Sequence, residues 1–241
     1  MGRCRALEGR WYMASNCTET IPLVYLFYEG KTELGYLQSL AKNRAIRIVP
    51  MPSVSAPVIL LERALMFAIE SAEDLRDNQA ADIWVVFDYD SKARDMAELR
   101  SVLSKCPSRC TDDCKIHDIN QCEAKDVFGR IHVAFMSPCI EIWGILCTDE
   151  GARMDKLPDD RHELQKLLHK LMPRYDHKHG ALFDVGEMTH TNDAIRRAKE
   201  WERTHGQFPE CLNASHYAGI YPLVEKIIAA PCEDPKSWRR G

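Results

Sequence analysis

The sequence contains no apolar run that approaches the roughly 18 residues a membrane-spanning helix requires. Residues 1–20 mix Arg, Glu, Asn and Trp without an apolar core, so neither a signal peptide nor a membrane anchor is predicted. An excess of positive charge is also missing, because 32 Lys and Arg stand against 36 Asp and Glu and the net charge is -4. This balance argues against a protein that coats nucleic acid by bulk charge, but it allows a local basic patch.

A chain of 241 residues is long enough for one large domain, or for one domain with an appendage. Without an export signal the expected location is the cytoplasm, a reducing compartment in which the 10 Cys should be thiols or metal ligands and not disulfides. Residues 1–20 show no clear periodicity. They are predicted to be a flexible N-terminal tail, or an upstream extension with Met13 as the real start.

Short apolar runs alternate with helical patterns four times in the first part of the chain. The runs are Leu23–Tyr28, 45–49, 82–87 and 131–135. This alternation predicts an α/β domain over residues 21–150, built on a parallel sheet with helices on both faces. Helical patterns at 158–171, 192–204 and 217–229 then predict a helical C-terminal extension over 151–230, followed by a tail at 231–241.

Acidic residues follow two of the predicted strands. Glu29 comes directly after the first strand, and Asp88 and Asp90 follow the third. If these strands are neighbours in a parallel sheet, the three carboxylates meet at the edge where such sheets bind ligands. Two carboxylates about 4 Å apart repel by roughly 4 kcal/mol at an effective dielectric of 20, so the pattern favours a bound cation, either Mg²⁺ or Mn²⁺. The plainer alternative is a polar turn at a strand end.

Two further acids and two lysines are candidates for the same site. Glu33 lies in the first turn of the first helix, where it is either a metal ligand or an acid that favours the helix terminus. Glu141 sits early in a predicted apolar helix that opens at Ser137-Pro138. An acid in such a setting needs a partner, either the metal edge or an ordinary hydrogen bond. Lys31 and Lys178 are candidates for contact with substrate phosphate, or else solvated side chains.

Several motifs occur in the order found in one bacterial family. They are Glu29-Gly30-Lys31-Thr32-Glu33 with Tyr36, Val86-Phe87-Asp88-Tyr89-Asp90, Ser137-Pro138-Cys139-Ile140-Glu141-Ile142-Trp143, and Asn213-Ala214-Ser215-His216 before Tyr217 and Leu223-Val224-Glu225. As a set they resemble the RloB-like proteins from about residue 22 to 230. Two motifs depart from that family, which has an Asn before Pro138 and Asn-Pro-Ser-Thr where this chain has 213–216.

The resemblance implies a variant of the Toprim fold, in which the first-strand Glu and the Asp-x-Asp pair bind Mg²⁺ and the Glu can also serve in acid–base catalysis. On this chain those residues are Glu29, Asp88 and Asp90. The family is associated with phage defence and with a neighbouring ATPase. The expected function is therefore a Mg²⁺-dependent nuclease that cuts RNA or DNA in antiviral defence. The alternative is a non-catalytic Toprim-like module that regulates or binds within an ATPase-containing complex; nucleotidyl transfer would need a nucleotide pocket that the sequence does not reveal.

A Cys-rich insertion at 105–127 interrupts the α/β pattern. Its candidate ligands are Cys106, Cys110, Cys114, His117 and Cys122. Thiolates and imidazole at short spacings suit tetrahedral Zn²⁺, although the usual Cys-x₂-Cys pair is missing. The alternative is a helix that aligns free thiols at positions four apart.

The zinc hypothesis predicts about one zinc per chain in protein purified without added metal, because four of these side chains would close a tetrahedral site. Elemental analysis measures the metal directly. A metal-free preparation whose insertion thiols all titrate freely would show that the segment is an ordinary surface insertion.

Overall fold

The structure is a computed structural model, and it describes residues 5–7, 10–12, 21–52, 56–89, 101–102, 125–175, 191–206 and 215–232. The strands are β1 (Arg5–Leu7), β2 (Arg10–Tyr12), β3 (Leu23–Tyr28), β4 (Arg47–Pro50), β5 (Ala81–Asp88), β6 (Ile131–Ser137) and β7 (Tyr217–Ala218). The helices are α1 (Lys31–Ala41), α2 (Pro57–Glu70), α3 (Ala72–Asp77), α4 (Lys125–Phe128), α5 (Glu141–Leu146), α6 (Arg161–Leu171), α7 (Thr191–His205), α8 (Tyr221–Ala229) and a 3-10 helix, Asp149–Lys156.

Five strands form one sheet in the order β4-β3-β5-β6-β7. Strands β4, β3, β5 and β6 run parallel, as the alternation of runs and helices predicted, and β3 pairs with β5 from Leu23↔Ala81 to Tyr28↔Val86. The chain passes from β3 to β4 on one side and then to β5 on the other. The strand order therefore reverses between β3 and β5, which is the position where open α/β sheets bind ligands.

The sheet is mixed and not wholly parallel, because β7 pairs antiparallel with β6. The prediction of a helix from residue 217 was wrong at Tyr217 and Ala218. The Tyr217 ring stacks on Phe135 with centroids 4.5 Å apart, and the Gly219 N–H donates to the Phe135 carbonyl at 2.9 Å. Contact with β6 thus overrides the local helical pattern, so the predicted extension contributes a strand to the sheet.

Both faces of the sheet are covered by helices, as predicted. Along β5, Trp84 and Val86 point to a core that includes residues of α1, α5, α6, α7 and α8. Ile83, Val85 and Phe87 point to a second core that is built mainly with α2. Alternate side chains of a strand point to opposite faces of the sheet. Because both faces of β5 are buried, the side chains from Ile83 to Phe87 are all apolar, which explains the continuous apolar run in the sequence.

Residues 57–77 form two helices, α2 and α3, which are divided at Ser71. The strands β1 and β2 pair antiparallel within the segment that the sequence suggested as a tail. Among the helices that are described, none is both long and apolar enough to cross a membrane.

Three arginines satisfy main-chain carbonyls at the ends of helices. Arg44 donates to the carbonyls of Ile228 and Ala230 at the end of α8 at 2.6 and 3.1 Å. Arg197 likewise donates to the carbonyls of Leu146 and Thr148 at the end of α5. Arg130 donates to those of Leu75 and Asn78 at the end of α3. A cation at a helix C-terminus satisfies carbonyls that lack a partner within the helix and suits the negative end of the helix dipole.

A second polar arrangement lies near the start of β5. Lys226 of α8 forms an ion pair with Asp82, and the His132 Nε2 atom lies 3.8 Å from the same carboxylate. Although partial burial opposes ionisation, hydrogen bonds from His132 and Lys226 hold the pKa of Asp82 below its ordinary value. The ion pair therefore connects α8 to the sheet.

Replacing Asp82 with Asn should lower the free energy of unfolding at pH 7 by about 1 kcal/mol, because Asn keeps the shape and loses the charge. The pKa of Asp82 is lower in the folded chain, so its contribution is complete above the ordinary Asp pKa of about 4. The contribution disappears as the pH falls through the folded-state pKa. Urea denaturation at neutral and acidic pH measures both effects.

Asp155→Asn is the matched control, because Asp155 is exposed. Its free energy of unfolding should change by less than about 0.5 kcal/mol. Equal losses in the two variants, or a loss for Asp82→Asn that persists in acid, would contradict the role given to the ion pair.

Candidate functional site

Glu29 and Asp88 meet at the carboxyl edge of the sheet. Glu29 follows the last residue of β3, and Asp88 is the last residue of β5. The Asp88 main-chain N–H donates a hydrogen bond to the Glu29 Oε2 atom at 3.1 Å. Asp90, the third acid predicted for this edge, lies outside the described residues.

Glu33 reaches the same edge from the first turn of α1. Its side chain is buried, and a Cβ atom at Gly30 would lie only 2.6 Å from Glu33 Oε2. Gly30 therefore permits the close approach of this carboxylate to the chain. Burial raises the pKa of Glu33 to about 7, and the charges of Glu29 and Glu141 act in the same direction.

Glu141 begins α5 and is 0% exposed. Its Oε1 atom accepts hydrogen bonds from Gln165 Nε2 at 3.0 Å and from the Tyr175 hydroxyl. Burial opposes its ionisation, but hydrogen bonds from Cys139, Tyr175 and Gln165 hold the pKa of Glu141 below its ordinary value. The buried acid therefore has the hydrogen-bond partners that the sequence left open.

Asp88 interacts electrostatically with the other three acids, and we refer to Glu29, Glu33, Asp88 and Glu141 as the carboxylate cluster. Burial and the charge of Glu33 raise the pKa of Asp88 well above its ordinary value, while Arg161 opposes this shift. Arg161 Nη2 lies 3.1 Å from Asp88 Oδ2. The cluster is thus partly neutralised by one guanidinium.

The buried oxygens Glu33 Oε2 and Asp88 Oδ1 have no hydrogen-bond partner among the described residues. Burying a carboxylate oxygen without a hydrogen-bond donor costs free energy. Carboxylate oxygens are also the ligands that Mg²⁺ and Mn²⁺ prefer. In the described ranges no three acidic, His or Cys side chains converge as they stand to hold a metal ion. The oxygens fit a hard cation by chemistry, and a metal would have to draw them together.

Of the remaining predicted residues, Lys31 is described and the others fall outside the described ranges. Lys31 is exposed at the first position of α1. Lys178 and the candidate zinc ligands Cys106, Cys110, Cys114, His117 and Cys122 fall outside the residues that the structure describes. Burial and the charge of Glu141 raise the pKa of Cys139, so this thiol is not expected to act as a nucleophile.

Three residues of the site were not identified from the sequence. Arg161 and Gln165 lie on α6, and Tyr175 follows that helix. No catalytic motif surrounds these residues in the sequence. Asp160, which precedes Arg161, marks the start of a helix, because its Oδ1 atom accepts a hydrogen bond from the Glu163 N–H at 3.0 Å. A polar residue aimed at the sheet from a distant helix leaves no periodic signal.

The described parts of the two motifs that depart from the family pattern lie beside each other. The Ser137 hydroxyl donates to the Ser215 carbonyl at 3.1 Å. His216 is buried, with its Nε2 atom 3.0 Å from the Pro158 carbonyl and 3.4 Å from Asp159. These contacts connect β6, the start of β7 and the segment that leads into α6.

The helices that supply Glu33 and Glu141 are joined by a buried hydrogen bond. The Trp143 Nε1–H group donates to the Tyr36 hydroxyl at 2.6 Å, and both side chains are buried. Tyr36 lies one turn after Glu33, and Trp143 lies two residues after Glu141. The bond therefore sets the spacing between the first turns of α1 and α5.

A sequence model of the family described as RloB-like protein matches residues 24–227 of the chain. The matched span contains all four members of the carboxylate cluster and Arg161. Comparisons with curated proteins and with solved structures gave no match.

Replacing Tyr36 with Phe should lower the free energy of unfolding by about 1–3 kcal/mol, because the buried Trp143 N–H loses its acceptor. Urea denaturation followed by Trp fluorescence measures the change. Tyr28→Phe is the control: its side chain is only half-buried on β3, and a change below about 0.5 kcal/mol is expected. Similar losses for both variants would show that the Tyr36 hydrogen bond does not stabilise the fold.

Proposed function

Because the chain belongs to the RloB-like protein family, we propose that it is a divalent-metal-dependent nuclease that cuts RNA or DNA, as an effector of antiviral defence. The observation that carries the proposal is the carboxylate cluster. Its members come from three separate elements and the end of β3, and two of its buried oxygens lack a donor. A fold does not bury like charges together without a compensating cation or proton.

The residues divide into two roles in this proposal. Asp88 and Asp90 would hold the ion, with Glu33 and Glu141 at its flanks. Glu29 would be a further ligand or the general base. A bound Mg²⁺ or Mn²⁺ would polarise the scissile phosphate and lower the pKa of an attacking water. Lys31, which is exposed at the start of α1, would contact the phosphate backbone of a substrate.

The position of the cluster supports a site open to a polymer. It lies at the reversal of strand order between β3 and β5, where substrates of open α/β sheets bind. Arg161, which pairs with Asp88, is 39% exposed, so solvent reaches the cluster from that side. A nucleic-acid strand would therefore meet Arg161 before the buried acids.

The second candidate function is a regulatory module that binds an ATPase partner through the same edge. One observation favours it: Arg161 already neutralises Asp88, and in the described ranges no three ligands converge on a metal position. A docking surface of that kind would tolerate neutral substitutions of the acids, whereas a metal site would not. Activity and metal binding therefore distinguish the two functions.

Asp88→Asn should reduce the cleavage rate by about a thousandfold, because a Mg²⁺ site with few protein ligands loses one charge. The melting temperature of the metal-free protein should hold or rise, since repulsion within the cluster falls. The stabilisation by added Mn²⁺ should shrink. Labelled tRNA, single-stranded RNA and plasmid DNA with Mg²⁺ or Mn²⁺ provide the assay, with thermal unfolding alongside. Asp90→Asn and Glu29→Gln should behave alike.

Glu163→Gln is the control, because Glu163 pairs with Lys166 on the exposed side of α6. It should match wild type in both measurements. Wild-type activity in all three acid variants would refute the metal site. If wild type neither cleaves nor is stabilised by Mn²⁺, alone or with its partner, the regulatory module replaces the nuclease.

A further inference from the structure

Arg161 occupies a position that a metal-binding nuclease would need to clear. Its Nη2 atom lies 3.1 Å from Asp88 Oδ2, and it also interacts electrostatically with Glu141 and Glu29. The Asp88 side chain is 7% exposed and that of Arg161 is 39% exposed. The guanidinium therefore lies on the solvent side of the carboxylate, and a cation that approaches Asp88 from solvent meets Arg161 first.

The contacts of Arg161 differ from those of the arginines that hold the fold together. Arg44, Arg130 and Arg197 donate to main-chain carbonyls at the ends of helices, where their removal would leave orphaned acceptors. Arg161 instead pairs with a side-chain carboxylate, at the first position of α6. A long side chain held by a carboxylate and partly open to solvent can leave without breaking the helix that carries it.

We propose that Arg161 exchanges partners during the reaction: it neutralises Asp88 in the metal-free protein, and it binds the substrate phosphate once a divalent cation has taken its place. The inference rests on the proposed nuclease function. Arg161 occupies Asp88 Oδ2, and a divalent cation on the partnerless Oδ1 atom would lie on the same carboxylate. The two cations compete for Asp88 because each repels the other at ligand distance. The displaced guanidinium remains beside the cluster, where the planar fork of Arg matches the oxygens of a phosphate.

If Arg161 exchanges partners, replacing it should change metal affinity and nucleic-acid affinity in opposite directions. Without the guanidinium, Asp88 is open to metal, so metal affinity should rise. A phosphate contact is lost at the same time, so nucleic-acid affinity should fall. A residue that merely held the fold would weaken both when replaced, and a surface residue would alter neither.

The test compares wild type with Arg161→Gln in two binding measurements. Calorimetry with Mn²⁺ alone measures metal affinity, and fluorescence anisotropy with short labelled single-stranded RNA and DNA in Ca²⁺ measures substrate affinity. We expect Arg161→Gln to bind Mn²⁺ about tenfold more tightly and the better oligonucleotide about tenfold more weakly, which is the effect of one charged contact. Arg153→Gln is the control, because Arg153 is 60% exposed and pairs with Glu150 in its own helical turn; it should match wild type.

Arg161→Lys retains the charge with a shorter reach, and its affinities should fall between those of wild type and the Gln variant. If the Gln variant does not fold, tighter Mn²⁺ binding with weaker oligonucleotide binding by the Lys variant supports the exchange, and any other combination overturns it. Parallel losses of both affinities, or no change in either, also overturn it. If wild type binds Mn²⁺ and Asp88→Asn does not, the metal site is supported even when the exchange is overturned. If wild type binds no Mn²⁺, the metal site and the exchange are both refuted.

Discussion

The hydrogen bond from the Asp88 main-chain N–H to the Glu29 carboxylate joins the ends of the two central strands. It exists because β3 and β5 pair in parallel, so that both chains leave the sheet at one edge. Main-chain geometry thus holds Glu29 beside Asp88 although their charges repel. The helices that follow β3 and β6 bring Glu33 and Glu141 within electrostatic range of Asp88, and the charges of these acids set the electrostatics of the site.

The acids of the carboxylate cluster differ in their hydrogen-bond partners, and their pKa values differ accordingly. Glu141 has donors in Gln165 and Tyr175, which keep its pKa low. The hydrogen bonding of Glu33 does not compensate for the effect of its burial, so its pKa rises to about 7. Groups of one chemical type whose environments separate their pKa values are typical of sites that bind cations or transfer protons. This contrast supports a site, whereas a run of surface acids would titrate alike.

The segment after residue 150 packs on the sheet and also contributes residues to the site. It supplies Arg161, Gln165 and Tyr175 to the edge, and it closes the sheet with β7. The contacts of Ser137 with Ser215 and of His216 with Pro158 place β7 and the approach to α6 side by side. The arrangement of the acids therefore depends on how the late helices dock, which relates the stability of that region to the function we propose.

Local sequence by itself determined the strand cores, the alternation with helices and the presence of acids at strand ends, because buried strands require apolar runs and turns tolerate Asp and Glu. It also identified the family, now supported by a match over 24–227. Only the tertiary structure decided that Ser71 divides a helix, that Tyr217 joins β6 as a strand, and that Arg161 and Tyr175 face the acids. Tyr175 and Glu141 lie 34 positions apart, and such contacts arise from helices packing on a sheet, where no local periodicity specifies which polar side chain points inward.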